Sequence, residues 1–141
     1  MSQTVHTGGC ACGAVRFEAR GEPHRVGICH CLTCRKVHGA PFSFYAVFPF
    51  DAVTVEGEVL AFESSEHGRR YSCLACGSPV YSHYERPDEF YLYPGSFDEP
   101  GLWQPSYELW TNRREPWLPE IETVVTRYAT NRPQWRRTES D

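Results

Sequence analysis

The sequence predicts a mainly β domain of short strands in a sandwich or folded-over sheet, with few helical turns. Three observations point there. Eleven prolines and eleven glycines punctuate the 141 residues, and few windows keep apolar residues at i, i+3, i+4 and i+7 long enough for a helix. The apolar runs are short and rich in aromatic and β-branched residues, which suit a pleated, half-buried surface. Seven cysteines fall into three tight groups, Cys10-Ala-Cys12, Cys29-His-Cys31-Leu-Thr-Cys34 and Cys73-Leu-Ala-Cys76, the short spacings of metal ligands on turns.

In chain order, Ala14 to Ala19 reads as a strand because Val15 and Phe17 alternate with Arg16 and Glu18, giving one apolar and one wet face. Cys34 to Gly39 is the best helical turn. Phe42 to Phe48, Val53 to Val55 and Val59 to Phe62 read as strands, with Glu56-Gly57-Glu58 as a hairpin turn between the last two. Arg69 to Cys73, Val80 to His83, Phe90 to Pro94 and Tyr107 to Trp110 complete the set. A single domain over residues 1–130 is expected, followed by a polar, proline-containing tail over 131–141 that should fray.

Composition excludes several classes of function. A formal net charge of −4 gives no basic stripe for nucleic acid. No stretch approaches the ~20 apolar residues of a membrane span, and Met1 to Cys10 hold no apolar run of the signal-peptide kind. A cytoplasmic protein with reduced thiols is the expectation. The basic residues are thirteen arginines and Lys36; the pairs Arg35-Lys36, Arg69-Arg70, Arg113-Arg114 and Arg136-Arg137 read first as solvated surface. Nothing in the sequence fixes an oligomeric state.

A disulfide framework would use an even number of cysteines well separated in sequence. If Cys10 and Cys12 join Cys73 and Cys76, they form a closed four-sulfur set, with Gly13 and Gly77 placed for tight knuckle turns. Cys29, Cys31 and Cys34 then form a three-sulfur set, which leaves one of zinc's four positions for a substrate. Iron, or a thiol–disulfide centre at Cys31-Leu-Thr-Cys34, are competing readings. His30 has three: a spacer with structural hydrogen bonds, a partner that supports the ligands or moves a proton, or a fourth ligand, which an extended C-x-C segment disfavours. His38 reads as a satisfied histidine or a proton carrier. Tyr91, Tyr93, Phe97, Trp103, Tyr107, Trp110 and Trp117 read as core before they read as the wall of a ligand cleft.

The order Cys-x-Cys-Gly, Cys-His-Cys-x-x-Cys-Arg-Lys, Cys-x-x-Cys-Gly-Ser-Pro and then Trp110 to Trp117 resembles the glutathione-dependent formaldehyde-activating enzyme family, which also contains the centromere protein V branch. The resemblance runs from Thr7 to Leu118. It implies a β-tent-like fold of folded-over sheets and two Zn²⁺ per chain, with Cys10, Cys12, Cys73 and Cys76 on a structural zinc and Cys29, Cys31 and Cys34 on a catalytic one. It further implies a carbon–sulfur lyase, like S-(hydroxymethyl)glutathione synthase, with formaldehyde as substrate and glutathione as co-substrate. Arg35 and Lys36, the cations nearest the three-cysteine group in sequence, are the expected contacts for an anionic thiol. A related lyase using a different thiol, and a non-catalytic zinc scaffold, are the competing functions.

Overall fold

The computed structural model describes residues 3–133. It is mainly β, as expected, with eleven strands, one seven-residue α-helix and three short 3₁₀ turns among the described residues. The strands are β1 (Val5–Gly9), β2 (Arg16–Arg20), β3 (Arg25–Cys29), β4 (Ser43–Pro49), β5 (Val53–Glu56), β6 (Val59–Ser65), β7 (Gly68–Cys73), β8 (Pro79–Tyr84), β9 (Glu89–Leu92), β10 (Tyr107–Leu109) and β11 (Thr126–Arg127). Helix α1 spans Leu32–His38.

Two sheets fold over one another. The smaller has the order β1-β2-β5 and the larger β11-β10-β3-β4-β9-β8-β7-β6. Most neighbours are antiparallel, but β10 runs parallel to both β3 and β11. A parallel partner needs a long connection, and residues 110–125 supply one between β10 and β11.

Register assigns the two faces of the large sheet. Val26 pairs with Ala46, Ala46 with Leu92, Leu92 with Tyr81 and Tyr81 with Tyr71. This row faces the small sheet and forms the main core with Val15, Phe17, Ala19 and Phe48. The alternation read around Val15 and Phe17 is therefore real: Phe17 and Ala19 are buried while Arg16 and Glu18 are exposed. Phe97 closes the end of this core, edge-on to Phe17 and Trp103 with ring centroids 4.9 Å apart in each pair.

The opposite face carries another row, in which Arg25 pairs with Val47, Val47 with Tyr91, Tyr91 with Ser82, Ser82 with Arg70 and Arg70 with Phe62. Two tyrosines lie across glycines on the adjacent strand. Tyr107 is opposite Gly27, and Tyr84 opposite Gly68. A Cβ on Gly27 would come within 2.4 Å of the Tyr107 ring, and one on Gly68 within 2.2 Å of the Tyr84 ring. The missing side chains let the rings lie down on the sheet and floor a hollow.

One expected element is corrected. Glu56-Gly57-Glu58 is no hairpin turn, because β5 pairs with β2 in the small sheet while β6 pairs with β7 in the large one. Gly57, at φ 111°, is a corner between sheets, and a Cβ there would lie 2.3 Å from the Ala14 carbonyl oxygen. The expected strands are otherwise present with shifted ends, and the helix begins at Leu32 rather than Cys34. Of the expected tail, residues 134–141 lie outside the described residues; Asn131 accepts a 2.9 Å hydrogen bond from Trp110 Nε1.

Candidate metal centre

Each cysteine group is held by its own backbone before any ion is considered. After β1, the chain turns through Cys10 to Val15: the Val15 N–H donates to Cys10 Sγ at 3.2 Å, and Gly13, at φ 84°, donates its N–H to the Cys10 carbonyl at 3.2 Å. After β7 the same device recurs. The Cys76 N–H donates to Cys73 Sγ at 3.4 Å, and Gly77, at φ 78°, donates to the Cys73 carbonyl at 2.8 Å. The two knuckles meet, so that the four sulfurs lie within 4.8 Å of one another.

These sulfurs are free thiols. Cys10 Sγ is 3.6 Å from Cys12 Sγ, and Cys12 Sγ is 3.8 Å from Cys73 Sγ, too far for the ~2.05 Å of a disulfide. A tetrahedron with zinc–sulfur bonds of about 2.3 Å has edges of about 3.8 Å, so the set fits a four-coordinate zinc. Ser78 pushes the Cys76 thiol down to about 5 through its side-chain and backbone hydrogen bonds, favouring the thiolate a metal needs. Because one knuckle belongs to the small sheet and the other to the large, an ion here fastens the sheets together.

The second set sits where β3 gives way to α1. Cys29 ends the strand, Cys31 is the helix N-cap, and its Sγ accepts the Cys34 N–H at 3.3 Å in place of the usual capping oxygen. The sulfurs of Cys29, Cys31 and Cys34 lie within 4.8 Å of one another, and all three residues are buried. Neighbouring sulfurs shift these thiols in opposite directions: Cys29 is pushed well up by Cys31 and Cys34, whereas Cys34 is pulled well down by Cys29 and Cys31 with help from Arg70 and Ser43. Both Nη atoms of Arg70 lie 3.5 Å from Cys34 Sγ, a contact that favours the thiolate there.

Cys29 and Cys34 open onto the tyrosine-floored hollow, whose walls include Ser43, Tyr45, Arg70, Tyr84, Tyr93 and Tyr107. Burial pushes the Tyr45 and Tyr93 hydroxyls up, so they stay protonated at neutral pH. Of the aromatics considered from sequence, Tyr91, Tyr93 and Tyr107 border this hollow. Phe97 and Trp103 belong to the main core, while Trp110 is buried and Trp117 is 66% exposed.

His30 points away from the sulfurs. Its Nε2 meets Glu108 Oε1 at 2.8 Å, with both side chains fully buried. Glu108 also accepts from Arg114 Nε at 3.1 Å and Arg127 Nε at 3.1 Å. Among the described residues, no histidine or carboxylate joins the three sulfurs. His38 lies on α1 with its ring edge-on to Tyr93, centroids 4.5 Å apart, and burial lowers its pKa, keeping the imidazole neutral. Its Nε2 is buried without a hydrogen-bond partner among the described residues.

Arg35 and Lys36 line a separate hollow with Leu32, Pro41, Glu115 and Trp117. The Arg35 guanidinium donates to the Glu115 carboxylate, and to the Arg113 carbonyl at 2.9 Å. The arginine that faces the sulfurs is Arg70, for which sequence gave the opposite reading. Far from being solvated, it is 4% exposed, and both Nη atoms lie 3.5 Å from Cys34 Sγ. Its sequence signal was weak: Arg69 and Arg70 look alike, and only the strand's alternation separates them.

The family model of the glutathione-dependent formaldehyde-activating enzyme matches residues 5–113, a span that holds all seven cysteines. The chain belongs to this family. Among relatives, an uncharacterized lyase of Schizosaccharomyces pombe is 30% identical over 79 residues, 56% of this chain and 58% of that one. A protein of Podospora anserina named for the same family is 39% identical over 66 residues, 45% of this chain and 31% of that one. The chain thus spans 58% and 31% of the length of these two relatives. A Rhodobacter sphaeroides protein of known crystal structure shares the fold, with a TM-score of 0.57 at 19% identity over 68% of this chain and 91% of that one. Membership agrees with the order of the cysteine groups.

Proposed function

We propose that this protein is a zinc-dependent carbon–sulfur lyase that forms or cleaves S-(hydroxymethyl)glutathione, with formaldehyde and glutathione as the partners joined or released. The observation that carries the reading is the contrast between two sulfur sets: four sulfurs at the junction of the sheets, and three buried ones of which Cys29 and Cys34 line a hollow. Four thiolates fill a structural site, whereas three leave a position for a ligand.

Cys10, Cys12, Cys73 and Cys76 would hold the structural ion, and Cys29, Cys31 and Cys34 the catalytic one. A zinc held by the latter three supplies a soft Lewis acid that favours the thiolate form of an incoming thiol. The chain's own groups do the rest. The fully buried Cys31 anchors the site at the helix cap, and Tyr45 and Tyr93 offer neutral hydroxyls to the oxygen of the aldehyde or of the hydroxymethyl group. In synthesis the thiol gives up its proton, its sulfur forms a bond to the carbonyl carbon as the C=O π bond opens, and the oxygen takes up one proton in place of the one the thiol released; cleavage reverses each change. Formaldehyde has little surface to recognise, so selection falls on the thiol. Reduced thiols at both sets suit a cytoplasmic setting; Arg35 and Lys36, in their separate hollow beside Glu115, would meet only an outer, charged part of the thiol that reached beyond the sulfur's own hollow.

The deciding experiment is elemental analysis of zinc per chain for the wild type and Cys31→Ser, with glutathione–formaldehyde exchange followed by NMR. Two zincs, one lost in Cys31→Ser together with exchange above the spontaneous rate, support the reading. One zinc in the wild type, or exchange no faster than without protein, turns it toward a zinc-stabilised scaffold.

A further inference from the structure

Arg70 is a buried cation without an acid. It projects from β7 into the hollow lined by Cys29 and Cys34, and among the described residues its charge neighbours are Cys34, Tyr84 and Tyr93, with no carboxylate among them. Burying an unpaired guanidinium is costly, so some other anion must stabilise it. The geometry supplies one: both Nη atoms converge on Cys34 Sγ at 3.5 Å. In the sheet Arg70 has Ser82 on one side and Phe62 on the other, and Ser82 Oγ lies 2.5 Å from the Tyr93 hydroxyl. Its Nε is buried and has no partner among the described residues, so the guanidinium, with five N–H donors, retains capacity for a further acceptor.

Charge counting gives that capacity a use. Three thiolates on a divalent ion leave a net −1, and a fourth sulfur makes it −2, in a hollow where charge is poorly screened. Such a sulfur needs a cation close by, and Arg70 is already fixed against the sulfur cluster.

We propose that Arg70 is the residue that receives the thiol sulfur, balancing the charge it brings beside Cys34. Arg70 thus selects for an anionic sulfur, and the carboxylates of a larger thiol are gripped elsewhere. The inference rests on the reading of Cys29, Cys31 and Cys34 as a thiol-receiving zinc site.

The test uses the full chain loaded with Co²⁺ in place of zinc. Metal content is measured per chain, and the sulfur-to-cobalt absorption is titrated with glutathione and with 2-mercaptoethanol, a thiol without carboxylates. Arg70→Met should hold two metals yet bind both thiols at least tenfold more weakly, with the ratio between them unchanged; Arg70→Lys should recover part of the loss. Unchanged affinity for both thiols, or weakening for glutathione alone, overturns the proposal while leaving the site reading intact. A wild type without metal at the three-cysteine set overturns both. Should Arg70→Met fail to fold, Arg70→Gln removes the charge with less loss of hydrogen bonding, and the same outcomes apply.

Discussion

His30 Nε2 and Glu108 Oε1 lie 2.8 Å apart with both side chains excluded from solvent. This pair turns the imidazole away from the sulfurs on either side of it and ties the Cys29–Cys31 corner to β10. Arg114 and Arg127 complete the carboxylate's bonding.

Removing the carboxylate should therefore uncouple three groups at once. Glu108→Ala removes the acceptor of His30 Nε2, Arg114 Nε and Arg127 Nε, and a loss of about 3–5 kcal/mol is expected for breaking a buried charged network from one side. Urea unfolding at neutral pH measures it. His30→Ala should keep the metal content of the wild type, since its ring faces Glu108; a fall by one ion per chain would show that His30 ligates after all.

The two sulfur sets should differ in what they hold together. Cys73→Ser opens the junction between sheets and is expected to cost about 3 kcal/mol or more, roughly 10 °C in Tm for a chain of this size. Cys31→Ser should cost less, because its set bridges a strand end and a helix cap within one sheet. Thermal unfolding of both variants, with and without chelator, checks the order; equal losses would contradict it.

Asp98 carries a pH-dependent contribution. Its carboxylate bonds both guanidinium nitrogens of Arg16, at 2.5 and 3.0 Å, and the Thr7 hydroxyl at 2.7 Å. The Arg16 and Thr7 hydrogen bonds pull its pKa from an ordinary 3.8 to about 2. A depressed carboxylate stabilises the fold above its unfolded pKa and loses that contribution as pH falls through the folded value. Asp98→Asn should thus be less stable than wild type at pH 7, with the gap closing between about pH 4 and pH 2. A gap independent of pH would sever it from this titration.

Gly27→Ala tests the floor of the hollow. The new methyl group would meet the Tyr107 ring, which sits 2.4 Å from the Cβ position, at an expected cost of about 1–3 kcal/mol as the ring is pushed up. Thiol affinity should fall with stability, because the displaced ring occupies the hollow. Calorimetry and thiol titration on one sample measure both; unchanged thiol affinity would show that the ring does not bound the ligand space.

Local chemistry was legible and remote chemistry was not. The C-x-C and C-x-x-C spacings declare tight turns that gather sulfurs, because residues two and three apart are brought together by local backbone geometry, and the alternation at Val15 and Phe17 declares a half-buried strand. β3 escaped notice for the opposite reason. Val26 and Ile28 face one side while Gly27 and Cys29 lie on the side of the hollow, so a strand covered on both faces shows little alternation. The Glu56–Glu58 corner resembled a hairpin because its glycine serves either purpose.

The sequence by itself determined the β class, the three cysteine groups, their division into four and three sulfurs, and family membership through their order. Tertiary structure alone decided what faces those sulfurs. Arg70 and Cys34 are 36 residues apart, His30 and Glu108 78, and Arg35 and Glu115 80. Sequence proximity singled out Arg35, but β7 crosses the sheet to set Arg70 against Cys34 while Glu115 engages Arg35. Metal-ligand spacing is a property of a few consecutive bonds, whereas the charge surrounding a buried site is a property of which strands become neighbours.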